Sequence, residues 1–178
     1  MSTTNNFLFK ALTIIAWIIF VGLSIEAGGL LVNFIFSIVN PAFVGKLYQK
    51  LDLTDMYERS RWAFFCMYSF ILFIALMKVC LFYKLITLVS KIDLLKPFSD
   101  FAAKQILDIS YYTFSIGLIS YFARQSARTM QHHGYLTENL DQFWGDAQAF
   151  ILMAAVVYAI AQIFKRGLAL QNENDLTV

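Results

Sequence analysis

The sequence is poor in charged residues. Asp, Glu, Lys and Arg make up 15% of the 178 residues, whereas a soluble domain usually has about 25%. Hydrophobic residues make up 59%, and the mean hydropathy is +0.61. A chain with so little polar surface cannot cover a water-soluble fold. Its length fits one domain, which we place over residues 1–178.

Cysteine is scarce as well, with Cys66 and Cys80 as the only two. Both lie in one apolar segment, and on a helix they would stand about 21 Å apart along its axis. This separation excludes an intramolecular disulfide, because the two Cα atoms of a disulfide lie within about 7 Å of each other. We expect both side chains to be small buried hydrophobic groups.

Motifs for catalysis, metals and nucleic acids are also missing. The sequence has no Gly-x-Ser-x-Gly elbow, no phosphate-binding glycine-rich loop and no His-Glu-x-x-His. His132 and His133 are adjacent, whereas zinc sites favour histidines with about three to five residues between them. Basic residues are spread along the chain, whose net charge is +2, and form no block that would attract nucleic acid. We expect a non-enzymatic protein with no metal, no cofactor and no direct nucleic-acid binding.

What the sequence has instead is four long apolar segments. A membrane-crossing helix needs about 20 mostly apolar residues, and in lipid its backbone groups must find partners within the segment, as they do in a helix. The expected fold class is all-α, a polytopic membrane protein with a four-transmembrane-helix bundle. By the length criterion the crossings are roughly residues 8–27, 62–89, 106–123 and 143–164.

The first apolar segment is too long for one crossing. It covers roughly residues 7–39, which is about 45–50 Å of helix against a hydrocarbon core of about 30 Å. Gly28-Gly29 is a natural place for a bend. We therefore expect an extra outer interfacial helix over roughly residues 30–39, ended by the Asn-Pro pair that follows. Lys10 and the apolar stretch after it have the shape of a signal peptide, but the apolar sequence continues too far, and we expect a retained helix.

Lys and Arg in the loops indicate the orientation. Four crossings put both termini on one side, and the basic residues are divided almost evenly between the two sides. Lys78 favours the side of the termini as the inner side, because its side chain can reach the inner headgroups from the end of the second crossing. We expect both termini in the cytoplasm and outer loops at roughly residues 30–61 and 124–142. The cytosolic linker and tail are then roughly residues 90–105 and 165–178.

The linker and the tail also carry a family resemblance. The linker reads KIDLLKPFS over residues 91–99, and the tail reads IFKRGLALQNENDLTV over residues 163–178. Both resemble a bacterial family of four-span membrane proteins of unknown function, the YoaS-like type. The resemblance implies a multi-pass protein of the bacterial cytoplasmic (inner) membrane without an established activity. Members are often encoded beside a small helix-turn-helix regulator of the Cro/CI type, which implies a cytosolic regulator as partner. The family offers no catalytic residue to carry over.

Glu26 is the most unusual side chain within the apolar segments. Ionisable groups inside a membrane are costly and by default indicate function. Counting about 1.5 Å per residue puts Glu26 near the outer boundary, at a level similar to that of Arg124. We expect an ion pair between Glu26 and Arg124 that holds the outer helix ends together, with Arg128 and Arg61 as alternative partners. A ligand or ion site and a proton relay remain open for Glu26.

The cytosolic side offers a candidate surface for a partner. Apolar residues recur at alternating spacings of four and three from Leu81 to Leu95, which is typical of a helix packed lengthwise on another. The other helix is either the fourth span or a partner. After Pro97, either Ser99 or Asp100 can cap an amphipathic lead-in to the third span. The last residues of the tail are apolar again. This favours docking of the tail on the second helix or on a cytosolic protein. The candidate partner surface comprises Leu85, Leu88, Ile92, Phe98, Asp175, Leu176 and Val178.

Two functions are consistent with these features. The first is a membrane sensor or anchor that interacts with the cytosolic helix-turn-helix regulator. The alternative is a small transporter or channel component that uses Glu26 as an intramembrane polar site, with Ser115, Gly117 and Ser120 along the third helix. Four short helices make a narrow pore, so that alternative requires an oligomer. A homo-oligomer and a membrane-protein complex both remain open, and the lipid bilayer is the expected surrounding.

Overall fold

The structure is a computed structural model that describes residues 3–40, 44, 51, 53–93, 96–144 and 146–176. Every regular element in these ranges is a helix. In chain order the elements are α1 (Thr3–Val39), α2 (Thr54–Arg59), α3 (Arg61–Lys91), α4 (Asp100–His132), a 3₁₀ helix (Glu138–Phe143) and α5 (Ala147–Leu176).

Four of these helices are long and apolar enough to cross a membrane. Helices α1, α3, α4 and α5 contain 37, 31, 33 and 30 residues. At about 1.5 Å per residue each is about 45–55 Å long, so each exceeds a hydrocarbon core of about 30 Å. The prediction of an all-α polytopic fold with four spans is confirmed, and the chain is a multi-pass membrane protein.

The first long helix continues without interruption through the glycine pair at which we expected a bend. Helix α1 continues to Val39, so residues 30–39 are its last part and form no separate interfacial helix. A glycine permits a bend, but it does not force one, because its N–H still joins the helical hydrogen-bond ladder. Ala27 and Leu30 lie on either side of the pair and are both buried, and a continuous helix keeps them on one face. The short helix of the first loop is α2.

Polar side chains define where the other long helices begin. The Ser60 and Ser99 hydroxyls accept hydrogen bonds from the backbone N–H groups of Ala63 and Ala102, at 3.4 and 3.1 Å. Ser99 is thus the cap of α4, one of the two residues expected to cap it. Asp146 caps α5, because its Oδ1 accepts from two backbone N–H groups at 3.1 and 3.3 Å. Such caps each stabilise a helix by about 1 kcal/mol.

The long helices pack in a row, each antiparallel to the next. Helix α1 packs on α3, α3 on α4, and α4 on α5. Ring contacts set the register of the first pair: Phe20 lies 6.3 Å from Tyr83, and Phe34 lies 5.1 Å from Tyr68, between ring centroids. The fully buried Tyr68 also donates its hydroxyl to the Leu30 carbonyl oxygen at 2.9 Å. Within the described ranges α1 has no extensive contact with α4 or α5, so α1 and α5 form the two edges of the row.

Helices α4 and α5 approach each other through small residues. Ser110 donates its hydroxyl to the Ala154 carbonyl oxygen at 3.0 Å. A Cβ atom on Gly117 would lie 2.9 Å from Ile151 Cγ1 and 3.1 Å from the Ala147 carbonyl oxygen. Small residues allow this close approach of two backbones in a membrane. The buried small residues recur every seventh position on each helix, at Ala103, Ser110 and Gly117 on α4 and at Ala147, Ala154 and Ala161 on α5.

Both cysteines lie on the outside of this row. Cys66 and Cys80 are free and exposed on α3, so the expectation that they are buried within the protein is wrong. Lipid chains are as apolar as a protein interior, and a spanning helix can therefore direct apolar side chains outward. Helix α1 does the same along its whole length, with exposed side chains from Phe7 to Val39.

The antiparallel row gives the molecule two distinct ends. We call the end with the α1–α3 and α4–α5 connections, residues 40–60 and 133–146, the loop end. We call the opposite end, with the α3–α4 linker of residues 92–99, the start of α1 and the end of α5, the tail end. The basic side chains of Lys91, Lys96, Lys104, Lys165 and Arg166 are exposed at the tail end.

Candidate functional site at the loop end

The two connections at the loop end pack together into a loop cap. Its apolar residues come from both connections and are at most 5% exposed. They belong to the same buried cluster as the core of the long helices. The sequence predicts outer loops here, yet the described apolar residues of both connections form a second layer of core. The loop cap comprises Val44, Leu51, Leu53 and Met56 from the first connection with Leu140, Phe143 and Trp144 from the second.

Hydrogen bonds made by an ion pair of α2 join the two connections to each other. Asp55 and Arg59 of α2 pair at 2.8 Å. Arg59 Nη1 also donates to the Gly134 carbonyl oxygen at 2.8 Å, and its guanidinium lies 5.6 Å from the ring centroid of Tyr135. The backbone N–H of Leu136 donates in turn to Asp55 Oδ2 at 3.4 Å. The turn after α4, where Gly134 adopts a φ of 82°, is therefore held against α2.

A polar cavity opens beside the loop cap. Its volume is about 350 Å³, and we call it the arginine cavity. The last turns of α4 form one wall, and the segment that contains the 3₁₀ helix forms the other. The wall of α4 is one helical face, because its residues follow one another at spacings of three and four. The lining residues are Arg124, Ala127, Arg128, Gln131, Thr137 and Asp141.

Glu26 and Arg124 are not brought together. The ion pairs Asp55–Arg59 and Lys84–Asp108 join other residues, and within the described ranges no ion pair joins Glu26 to Arg124. The reason is the row arrangement, because α3 lies between α1 and α4. The alternative partner Arg61 contacts a different group, with its guanidinium 5.5 Å from the ring centroid of Tyr57.

The ion pair between spans lies instead near the tail end. Lys84 Nζ of α3 donates to Asp108 Oδ2 of α4 at 2.7 Å, and each side chain is 26% exposed. This pair was not among the predicted contacts. A signal was available, because both lie equally far in sequence from Lys96 in the linker. Two antiparallel helices joined by a short linker bring such equidistant residues to the same level.

The candidate partner surface is largely occupied by the chain itself. Phe98 lies against α5, with its ring centroid 5.3 Å from that of Phe164 in an edge-to-face contact. A Cβ atom on Gly167 would lie 2.6 Å from the same Phe98 ring, so the ring covers this glycine. Leu85 and Leu88 are half-buried against the core cluster. Helix α3 packs extensively on α1 and α4, so the fourth span, one of the two neighbours predicted for the apolar residues from Leu81 to Leu95, is not an extensive neighbour of α3.

Three further residues of that surface lie at the tail end. Ile92 is half-buried and ends α3, where its backbone N–H donates to the Leu88 carbonyl oxygen at 3.0 Å. Asp175 and Leu176 belong to the last turn of α5. Val178 lies outside the described residues, so its expected docking stays a prediction.

Comparison with known proteins places the chain in a family. A family model described as "Protein of unknown function (DUF2975)" matches residues 48–178. The chain belongs to the DUF2975 family. This confirms the predicted membership of a family of unknown function. The matched segment holds α2 to α5, the ion pair of α2 and the whole arginine cavity, whereas α1 precedes it. No curated protein and no solved structure matches the chain.

Proposed function

We propose that this DUF2975 protein is a non-enzymatic sensor or anchor in a bacterial cytoplasmic membrane. In this proposal the tail end faces the cytosol and engages a cytosolic helix-turn-helix regulator. The observation that carries it is the α4–α5 pair, which joins the arginine cavity at one end of the molecule to a helical extension at the other. Close packing at Ser110–Ala154 and at Gly117 makes this pair the element best suited to transmit a change between the two ends.

The extension of α5 supports a contact in the cytosol. A crossing of about 20 residues from Ala147 ends near Arg166, and α5 continues from there to Leu176. Asn172 and Glu173 are exposed on this segment. Amphipathic and polar helices beyond a membrane are common docking elements for other helices. Seven basic residues on the side of the tail end against six on the side of the loop end favour a cytosolic tail end only slightly by the positive-inside rule, and Lys78 adds to that side.

Orientation is tested by thiol labelling in intact cells. The native cysteines are replaced by serine, and single cysteines are introduced as Glu58→Cys at the loop end and Asn172→Cys at the tail end. A membrane-impermeant maleimide should label only the Glu58→Cys protein until the cells are opened. Labelling of Asn172→Cys in intact cells would reverse the proposed orientation.

The partner is tested by cross-linking in native membranes. The full-length chain is purified through an N-terminal tag, and cross-linked proteins are identified by mass spectrometry. We expect a helix-turn-helix regulator to be enriched, and we expect truncation after Asn172 to abolish that enrichment. Arg61→Gln, at the loop end, is the matched control and should retain it. The absence of a helix-turn-helix protein, or equal capture by the truncated chain, would contradict the proposal.

A transporter receives less support from the packing. Gly117 and Ser120 are buried between helices, and α5 packs directly against Gly117. The exposed edges α1 and α5 leave room for a homo-oligomer or a membrane-protein complex, which a pore would require. Ion flux in liposomes that is lost with Glu26→Gln would favour this second function over the first.

A further inference from the structure

Arg124 and Arg128 differ from the other arginines of the loop end in their surroundings. Arg59 has a carboxylate partner and Arg61 has an aromatic ring. Arg124 and Arg128 have no ion pair within the described ranges, although they lie one turn apart on α4. Like charges at this spacing destabilise a helix slightly. A pair of guanidiniums held on one helical face, neither of them in an ion pair within the described ranges, is suited to an external anion.

The arginine cavity has the size of a small ligand site. Its volume of about 350 Å³ falls within the range of about 300–1,000 Å³ that is typical of such sites. Gln131 and Thr137 add side chains that can donate hydrogen bonds. Thr137 is 7% exposed and is followed by the fully buried Leu140, so the wall opposite α4 is anchored in the loop cap.

A residue typical of the membrane interface lies level with the cavity. Trp62 is 86% exposed on α3, and tryptophan is enriched at that interface. The contacts Lys84–Asp108 and Arg59–Gly134 set the α3–α4 register and put Trp62 level with Met130.

The charges of the lining residues limit the class of ligand. Two guanidiniums face one carboxylate, that of Asp141, which leaves one net positive charge. A guanidinium binds phosphate oxygens in a bidentate manner. A carboxylate in the same site accepts hydrogen bonds from hydroxyl groups. The lining therefore fits an anionic phosphate ester that carries neighbouring hydroxyls.

We propose that the arginine cavity binds a phosphate ester through Arg124 and Arg128, with Asp141 accepting from its hydroxyl groups. The phosphate belongs either to the headgroup of an anionic glycerophospholipid or to a free phosphate ester. This inference goes beyond the sensor or anchor role and does not depend on it, since a site of this kind can exist whether or not a cytosolic partner binds.

Native mass spectrometry of the full-length chain in detergent tests the proposal. One arm adds phosphatidylglycerol, a second adds glycerol phosphate, and a third adds phosphatidylcholine, which has no net charge and no headgroup hydroxyl. We expect one tightly bound molecule in the first or the second arm and weaker binding in the third. A response to phosphatidylglycerol alone identifies a lipid as the source of the phosphate, and a response to glycerol phosphate identifies a soluble ester.

The variants that carry the test are Arg124→Gln and Arg128→Gln, separately and together. Each should weaken binding about tenfold or more, because a hydrogen bond to a charged group contributes about that factor. Arg61→Gln removes an arginine of the same end that does not line the cavity, and it should bind as the unaltered chain does. Arg128 is exposed, so its variant reports on binding even if Arg124→Gln lowers stability. No binding in any arm, or equal binding by the double variant, would overturn the proposal.

Discussion

The close approach of α4 and α5 at Gly117 leads to a prediction with a matched control. In Gly117→Ala the new methyl group would lie 2.9 Å from Ile151 Cγ1 and 3.1 Å from two backbone atoms of α5. The side chain of Ile151 can turn away, but the backbone of α5 can only be displaced. Gly28→Ala is the control, because a Cβ atom there meets nothing within 4 Å.

The magnitude follows from the difference between the two variants. Replacing a helical glycine by alanine gains up to about 1 kcal/mol of helix propensity at either site, so this contribution cancels. What remains is the cost of overpacking at Gly117, which is about 1–3 kcal/mol for an added methyl group in a packed interior. For a chain of this size that difference corresponds to about 2–12 °C in Tm.

Thermal unfolding of both variants in the same detergent measures this difference. Gly28→Ala should unfold at or slightly above the Tm of the unaltered chain, and Gly117→Ala should unfold below that of Gly28→Ala. Val at the two positions should widen the gap, since its additional methyl groups enter the same contact at Gly117 and lipid at Gly28. Equal Tm values for the two alanine variants would refute the close packing of α4 on α5.

Three further predictions concern single contacts. Tyr68→Phe should lower the free energy of unfolding by about 1 kcal/mol in denaturant titrations, because the buried Leu30 carbonyl oxygen loses its donor; unchanged stability would argue against this bond. A double-mutant cycle of Lys84→Met and Asp108→Leu should give a coupling energy of about 0.5–1 kcal/mol, whereas simple additivity would show that the pair does not form. Asp146→Ala should destabilise the start of α5 by about 1 kcal/mol and speed amide exchange there, and Asp146→Asn should restore the cap; unchanged exchange in Asp146→Ala would rule the cap out.

The helices were predictable because the membrane requires them. Long apolar runs located all four spans, and Ser99 after Pro97 located the start of α4. The bend at Gly28-Gly29 was expected because glycine permits a bend, but glycine does not require one. A glycine pair lowers the cost of a bend, and the packing of Ala27 and Leu30 on α3 decides whether one occurs.

The pairing of polar residues was less predictable, because depth alone does not say which helices are neighbours. Glu26 and Arg124 were matched by level, yet α3 separates their helices. Lys84 and Asp108 lie at the same level on neighbouring helices. The short linker between α3 and α4 makes these two helices neighbours. Pairing is thus predictable across a short connection and not across the whole bundle.

The loop cap was missed because its apolar residues are spread over irregular segments. Leu51, Leu53 and Met56 show neither a helical nor a strand period over a useful length, and Leu140 and Phe143 are separated from them by two spans. Contacts at such a distance in sequence leave no local pattern. The arginine cavity depends on this cap for one of its walls, and it could not be foreseen for the same reason.

Because α1 lies at the edge of the row, one part of its surface contacts α3 and the rest contacts lipid. The strip with Ala27 and Leu30 must match the shape of α3, so substitutions there disturb the packing between the two helices. The rest of the helix touches acyl chains, which adapt to any apolar side chain. Exchanges among leucine, isoleucine, valine and phenylalanine on that side should leave the fold untouched, and α1 can vary in sequence far more freely than the three helices that follow it.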